Sequence, residues 1–182
     1  VSNGAAAAII CSKQKAREFT GRPVWVASST VATMTFEDSL PRGLAGPAPS
    51  GPSFHTEAKA AVSRAFERAG LGPQDVSFTE LQDNTCYYEL AFPEEWGLCR
   101  PGEAEQLVAA GETVPTGRMP INPSGGFVSF GEATTAMGVF QIAEMTWQLR
   151  GQSGARQVPG AKVGLAQTLG LGGNATAAIL KR

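Results

Sequence analysis

Two short apolar segments near the C-terminal end constrain the fold more than any other feature of this sequence. They run from Lys162 to Gln167 and from Thr176 to Leu180, and the glycine-rich stretch LGLGGN (Leu169 to Asn174) lies between them. Parallel strands need a crossover of a dozen or more residues, and this connection has no room for one. The two segments are therefore predicted to pair antiparallel as a hairpin.

Two helices are predicted from apolar residues that recur at helical spacing. From Glu57 to Ala69 an apolar stripe faces one way, and Gly70 ends the helix. A longer helix is predicted from about Ala133 to Arg150; it is apolar almost all round and therefore mostly buried. The stripe of the first helix is Ala58, Ala61, Val62, Ala65 and Ala69, and the narrow polar edge of the second is Gln141, Glu144 and Gln148.

The remaining elements make the chain an α/β protein with a mixed β-sheet covered by helices. Gly4 to Cys11 is predicted to be a strand buried on both faces. A sequence that enters such a strand at once suggests that more chain precedes it. The other predictions are a helix at Lys13–Phe19 capped by Ser12, strands at Val24–Ala27 and Val76–Leu81, a loop at Pro41–Ser53, a helical region at Cys86–Trp96 broken or kinked at Pro93, and a helix at Glu103–Ala110.

Composition excludes several classes of function. The net charge is -1 with no basic run, so no nucleic-acid partner is predicted. The longest apolar stretch is too short to span a bilayer, so no membrane association is predicted either. Three scattered cysteines, Cys11, Cys86 and Cys99, favour a reducing cytoplasmic location. His55 is the single histidine, in a stretch typical of exposed loops, so no metal site is predicted.

Three blocks, in order, resemble the C-terminal half of thiolases, especially those of the sterol-carrier-protein-x or lipid-transfer-protein type. SNGAAAAIICS resembles the block that closes the N-terminal half of those proteins. ELQDNT and WGLCRPGEAEQLV resemble the "HDAF" motif and the "GFCxxGEG" segment. The third block resembles the family pattern "NxxGG…GHPxGATG…QLRGxxGxRQV…GxGG". It is the tail INPSGGFVSFGEATTAMGVFQIAEMTWQLRGQSGARQV, followed by GLGG. Each block is weak alone, and the ordered set spans nearly the whole chain.

The resemblance implies the second half of a layered α-β-α thiolase fold. Residues 1–20 would be the tail end of the N-terminal thiolase half, and residues 21–182 the C-terminal thiolase-like domain. It also implies an acyl-CoA substrate, with coenzyme A present only as part of that substrate and no covalently bound cofactor. The expected partner is an N-terminal thiolase half, a second copy of the chain, or a zinc-ribbon/OB-fold protein. An isolated stable monomer is not expected.

The same resemblance points to three site residues, and each departs from the family pattern. Gln82 stands where the family has Asn or His in a motif that orders an oxyanion-hole water, and glutamine keeps both donor and acceptor. Glu132 replaces the histidine of "GHP", which donates to the thioester oxygen; an ionised glutamate only accepts. Thr168 replaces the second catalytic cysteine, and its hydroxyl is a weak base. The nucleophilic cysteine belongs to the first half. Standard thiolysis is therefore not expected.

Further site predictions are backbone and aromatic groups near these motifs. Turns rich in glycine present backbone amides to an oxyanion. Tyr88, like Tyr87, is a possible proton donor, although packing on a helix with the hydroxyl at the surface is the favoured role for both tyrosines. Neither Cys86 nor Cys99 is expected to be reactive, since neither stands at a catalytic position of the family and no cation is expected to lower the pKa of either thiol. The turn residues assigned to oxyanion or substrate binding are Asn122, Gly125, Gly126 and Gly170.

Three functions remain open at this point. The first is a retro-aldol enzyme acting on hydroxylated acyl-CoA in lipid or sterol side-chain degradation, with Glu132 as acid or base. The second is a non-catalytic half that serves assembly and ligand binding, where Glu132 is only a carboxylate at a helix N-terminus. The third, an independent small binding domain, is disfavoured because a half-thiolase would expose a large apolar face.

Overall fold

The computed structural model describes residues 2–34, 56–170 and 173–182, which form six α-helices and four β-strands. Two 3-10 turns, Pro73–Asp75 and Gly154–Arg156, add to these. In chain order the elements are α1 (Lys13–Phe19), β1 (Trp25–Thr33), α2 (Thr56–Ala69), β2 (Phe78–Glu80), α3 (Tyr87–Glu95), α4 (Ala104–Ala109), α5 (Gly126–Phe130), α6 (Met137–Arg150), β3 (Val163–Gly170) and β4 (Asn174–Lys181).

The strands form one mixed sheet in the order β1-β4-β3-β2. β3 and β4 pair antiparallel, with Gln167 opposite Ala177, which confirms the predicted hairpin. β1 adds to β4 antiparallel, and β2 pairs parallel to β3 with Thr79 opposite Leu165. The parallel pair matters for function, because the carboxyl ends of β2 and β3 lie at the same edge of the sheet.

Helices cover the two faces of this sheet, as the predicted α-β-α layering requires. Successive side chains of a strand point to opposite faces. Leu165 and Ile179 are buried in the cluster that contains the apolar stripe of α2, whereas Ala166 and Leu180 are buried with Met145 of α6. The stripe of α2 is as predicted: Ala58, Ala61 and Ala65 have no exposed surface.

The polar edge of α6 is its buried edge. Gln141, Glu144 and Gln148 are 3%, 3% and 1% exposed, whereas Trp147 is 47% exposed. The polar groups tolerate burial because each is hydrogen-bonded within the chain; Gln148 Oε1, for example, accepts from the backbone of Val158 at 2.8 Å. The helix also begins at Met137, four residues later than predicted.

Two sequence predictions are wrong. Gly4 to Cys11 contains no strand, and Ile9 and Ile10 are 94% and 81% exposed, because no described strand of this sheet pairs with the segment. The predicted break at Pro93 does not occur, since α3 continues to Glu95. A proline removes one backbone hydrogen bond and crowds the carbonyl four residues before it, and α3 contains Pro93 in spite of both effects. The predicted loop Pro41–Ser53 and His55 lie outside the described residues.

The described helices are short. None of them combines the length and apolar character that a bilayer-spanning helix needs.

Candidate functional site

Three predicted site residues come from segments that the parallel strand pair brings together. Gln82 follows the carboxyl end of β2, and Thr168 lies near the carboxyl end of β3. Glu132 lies in the turn between α5 and α6, which packs against β3. Gln82 is 5% exposed, while Glu132 and Thr168 are partly buried.

The side chain of Gln82 is oriented by the backbone of β3. Its Oε1 accepts a hydrogen bond of 2.6 Å from the amide of Leu169, and a backbone amide can only donate. The Nε2 group therefore faces the other way, where it donates to Glu132 Oε1 at 3.4 Å. An amide nitrogen carries two hydrogens, so one N–H of Gln82 remains for a ligand after the bond to Glu132.

Thr168 is oriented in the same manner by Gln141 of α6. The Nε2 of Gln141 donates to the carbonyl oxygens of Glu80 at 3.1 Å and Gln167 at 2.9 Å, and carbonyls only accept. Gln141 Oε1 must then be the atom that meets Thr168, and the Thr168 hydroxyl donates to it at 2.5 Å.

The backbone amides of the NPSGG turn are engaged within the chain. Gly125 N donates to Asn122 O at 2.8 Å, and Gly126 N donates to Ser124 Oγ at 3.1 Å. Asn122 has a positive φ of 46°, and its side-chain oxygen accepts from Leu81 N at 2.8 Å. The turn thus supports the end of β2, and its proposed role in oxyanion binding stays a prediction.

Gly126 meets a steric requirement at this turn. Its φ is 67°, and a Cβ built on it would lie 2.1 Å from Asp83 Oδ2. Asp83 Oδ1 accepts from Phe127 N at 2.6 Å, and burial raises the pKa of this carboxyl. Asp83, the aspartate of the ELQDNT block, therefore holds the start of α5. Its carboxyl lies so close to Gly126 that only glycine fits at that position.

The two remaining predicted residues lie in different surroundings. Gly170 is the exposed last residue of β3, opposite Asn174. The ring of Tyr88 stacks on Phe92 at 4.7 Å between centroids and packs against the core beneath α2. Burial, followed by the charge of Glu57, raises the pKa of Tyr88. No contact of either residue tests its predicted role.

Glu80 is a buried acid of this region that the sequence analysis does not single out. It is 2% exposed in β2, and both its oxygens are bound by Ser124, from the amide at 3.0 Å and from the hydroxyl at 2.6 Å. Burial raises its pKa to about 8. The signal was a glutamate inside the buried strand FTE, where an acidic side chain needs an internal partner.

The three cysteines are free thiols, and none lies at the Gln82–Glu132 pair. Burial, then the charges of Glu94 and Glu103, raises the pKa of Cys99 to about 11, so its thiolate is scarce at neutral pH. The expectation that no cation lies near it was wrong, since Arg118 acts on this thiol in the opposite direction. Within the part of the chain that is described, no three His, Cys, Asp or Glu side chains could hold a metal ion.

The described residues line two surface cavities, one of which borders the turn that holds Glu132 through Gly131 and Ala133. One of about 330 Å³ is lined on its apolar side by Phe140 and Trp147 of α6 and on its polar side by Ser124 and Arg156. The other, of about 170 Å³, lies beside Cys99 and Arg118. Gln82, Glu132 and Thr168 are not among the residues that line these two cavities. Gln82 and Glu132 meet through their hydrogen bond, whereas the side chain of Thr168 is bonded to Gln141.

Thr135 has a strained backbone next to the site, with a φ of 74°. The position matches a glycine in the "GHPxGATG" pattern, and this conformation costs a β-branched residue about 1–2 kcal/mol. Allowing for the greater chain entropy of glycine, we expect Thr135→Gly to raise the free energy of unfolding by about 1 kcal/mol. Urea unfolding tests this against Thr134→Gly, whose φ is not positive and which should destabilise. Equal effects of both changes would contradict the argument.

Comparison with known proteins gives a consistent set of matches. Residues 51–182 match the family described as "Thiolase C-terminal domain-like". The chain is 38% identical over 185 residues to rat (Rattus norvegicus) sterol carrier protein 2, covering 99% of this chain and 32% of that protein. It is 36% identical over 186 residues to an acetyl-CoA acetyltransferase of Methanothermobacter thermautotrophicus, covering 100% of this chain and 46% of that protein.

A solved structure matches the fold as well. An Ltp2-ChsH2(DUF35) aldolase superposes with a TM-score of 0.76 and 25% identity, over 93% of this chain and 42% of the aldolase chain. The chain therefore spans between about a third and a half of the length of each of these proteins.

Proposed function

This chain belongs to the thiolase C-terminal domain-like family, and from that premise we propose that it serves an acyl-CoA enzyme that cleaves a carbon–carbon bond by a retro-aldol reaction. The substrate class is a 3-hydroxyacyl-CoA, as in lipid or sterol side-chain degradation in the cytoplasm. Coenzyme A enters as part of that substrate, and no covalently bound cofactor is proposed.

The observation that carries this proposal is the pairing of Gln82 with Glu132. A carboxylate faces the site where the family pattern has a histidine, and Gln82 holds it at 3.4 Å. A carboxylate opposes the negative charge that a thiolase builds on the thioester oxygen, but it suits removal of a proton from a hydroxyl. The family's second cysteine is also replaced, by Thr168.

The reaction then follows with atoms and electrons balanced. Glu132 takes the proton of the 3-hydroxyl group, and the C2–C3 bond breaks as a carbonyl forms at C3. The electron pair moves into the thioester enolate, whose oxygen accepts the remaining N–H of Gln82. Glu132 returns the proton to C2, which releases a shortened acyl-CoA and an aldehyde or ketone. Two effects are expected to lower the barrier: proton transfer by Glu132 and electrostatic stabilisation of the enolate. The second is expected to be the larger.

This activity is proposed for the assembled protein. The partner we propose first is an N-terminal thiolase half, followed by a second copy of the chain and by a zinc-ribbon/OB-fold protein. The matched aldolase, whose name joins two components, supports a multi-component assembly. The exposed Ile9 and Ile10 also favour a chain that is covered in its native assembly.

A non-catalytic half is the second candidate, favoured by the turn amides. Gly125 N and Gly126 N are already bonded inside the chain, so they offer no donor to an oxyanion in this conformation. In that case Glu132 is a carboxylate in the turn before α6, bound by Gln82, and performs no chemistry.

Parallel assays on two substrates separate the candidates. We expect the natively assembled protein to convert a 3-hydroxyacyl-CoA without added free coenzyme A, and to leave a 3-ketoacyl-CoA with free coenzyme A unchanged. The physical reason is that the first reaction needs a base and a donor, while the second needs a cysteine acid/base that Thr168 cannot replace. Chromatographic separation of the thioesters measures both reactions. Thiolysis of the 3-ketoacyl-CoA would contradict the proposal, and no turnover of either would favour the non-catalytic half.

A further inference from the structure

We propose that Gln141 of α6 is a positioning residue for Gln82, because it joins the ends of the two strands that hold the Gln82 side chain; this rests on the proposed function. In the sequence, Gln141 is only one member of the narrow polar edge of α6. In the structure it is 3% exposed, and its hydrogen bonds reach both strands that carry the site.

The backbone pairing of β2 with β3 ends before the site residues begin. Its last pair is Glu80 opposite Ala166, whereas Gln82 and Thr168 each lie two residues further along the chain. Beyond that pair, the two chain segments need contacts other than the strand ladder to keep their relative position.

Gln141 supplies such a contact from α6. An amide nitrogen carries two hydrogens, and Gln141 Nε2 donates to Glu80 O at 3.1 Å and to Gln167 O at 2.9 Å. Its Oε1 accepts from the hydroxyl of Thr168 at 2.5 Å. The nitrogen and the oxygen of one buried side chain therefore both engage the strand ends, and Nε2 bridges β2 to β3.

The end of β3 in turn holds Gln82 at two points. The backbone amide of Gln82 donates to Gln167 Oε1 at 3.3 Å, and Gln82 Oε1 accepts from Leu169 N at 2.6 Å. A shift of β3 relative to β2 would therefore turn the Gln82 side chain. Its Nε2 donates to Glu132 and, in the proposed reaction, to the enolate oxygen. Such donors lower a barrier only when they are already aimed at the developing charge, so a turned Gln82 should slow the reaction.

Gln148 provides a matched control on the same helix. It is 1% exposed, and its Nε2 also donates to two acceptors, Glu144 Oε1 at 2.9 Å and Arg156 O at 2.7 Å. Its hydrogen-bond partners lie on α6 and in the segment that follows α6. Gln141→Met and Gln148→Met both leave buried polar groups unpaired and should both destabilise the protein, but only the first releases β2 from β3.

Amide hydrogen exchange at Leu169 reports the hold on Gln82 without any turnover. In the natively assembled protein, we expect this amide to exchange about 10-fold faster in Gln141→Met than in Gln148→Met, the size of one hydrogen bond. Mass spectrometry with fragmentation to single residues measures it. Gln141→Asn, one methylene too short to reach both carbonyls, should show the same increase and replaces the methionine variant if that does not fold. Equal exchange at Leu169 in the position-141 and position-148 variants overturns the inference.

Steady-state kinetics on a 3-hydroxyacyl-CoA test whether Gln141 acts through Gln82. Gln141→Met should lower kcat by about 10-fold or more with KM within about 3-fold, because the lost interaction strengthens only as the enolate forms. Gln148→Met should keep kcat within about 2-fold of the parent, since its partners lie away from the strand ends.

A double-mutant cycle completes the test. In a Gln82→Leu background, Gln141→Met should lower kcat by no more than about 2-fold further, because the group it positions is already gone. A loss from Gln141→Met that persists in full in that background overturns the inference. Failure of the proposed function is separate: it is read from turnover by the parent protein, whereas exchange at Leu169 needs none.

Discussion

Glu132→Gln should lower the turnover number of the assembled protein on 3-hydroxyacyl-CoA by at least about 100-fold. The change keeps the shape of the side chain and its hydrogen bond from Gln82, but removes the group that carries the proton. General acid–base groups contribute about 100- to 10,000-fold, so the loss corresponds to about 3 kcal/mol or more in the barrier. Steady-state rates at saturating substrate measure it.

The control for Glu132→Gln changes two cysteines, because a thiolase reaction would depend on a cysteine. The double variant Cys86→Ala with Cys99→Ala should remain within a few-fold of the parent. Cys86 is exposed, and the raised pKa of Cys99 keeps that thiol protonated. Full activity of Glu132→Gln, or a large loss in the cysteine variant, would return Glu132 to a structural role.

Glu80→Gln should stabilise the protein at alkaline pH by on the order of 5 kcal/mol, because burial raises the pKa of Glu80 from 4.5 to about 8. A carboxyl with a raised folded-state pKa holds its proton more tightly when folded. Its contribution to stability is complete below about pH 4.5 and is lost as the pH rises to about 8. The neutral amide has no such loss, and its oxygen can still accept from Ser124.

Chemical unfolding of parent and variant between pH 5 and pH 9 measures this difference. The parent should lose stability with rising pH by up to about 1.4 kcal/mol per unit, and the Glu80→Gln protein much less. Glu105→Gln, a change on the exposed surface of α4, should leave the parent curve unaltered. If the free energy of unfolding changed with pH in the same way for the parent and Glu80→Gln, ionisation of Glu80 would not destabilise the folded protein.

The sequence predicts the sheet and its helices because local pattern and connection length decide them. The short glycine-rich connection enforces the β3–β4 hairpin, and the alanine stripe fixes the buried face of α2. The strand predicted at Gly4 to Cys11 fails because strand formation needs a neighbour, which an apolar run does not report. The sequence also does not show that Gln141, Glu144 and Gln148 point inward, because a hydropathy value is the same for a buried polar side chain and an exposed one.

For the candidate site, motif resemblance predicts which residues belong together but not how their hydrogen bonds run. Gln82 and Glu132 are 50 positions apart and meet because β2 and α6 both pack against β3. The donor direction of Thr168 depends on two carbonyls from different strands, and the buried acid Glu80 depends on Ser124 in a distant turn. Such relations arise from tertiary packing, which spacing along the chain does not encode.

The most direct test of carbon–carbon cleavage is the isotopic composition of the product formed in D2O. The native assembly is given a 3-hydroxyacyl-CoA without free coenzyme A, and the shortened acyl-CoA is analysed by mass spectrometry. Retro-aldol cleavage through Glu132 predicts one solvent deuteron at C2 of that product, one equivalent of aldehyde or ketone, and suppression of both by Glu132→Gln. Intact 3-hydroxyacyl-CoA after prolonged incubation, or deuterated product formed undiminished by Glu132→Gln, would contradict the proposed chemistry.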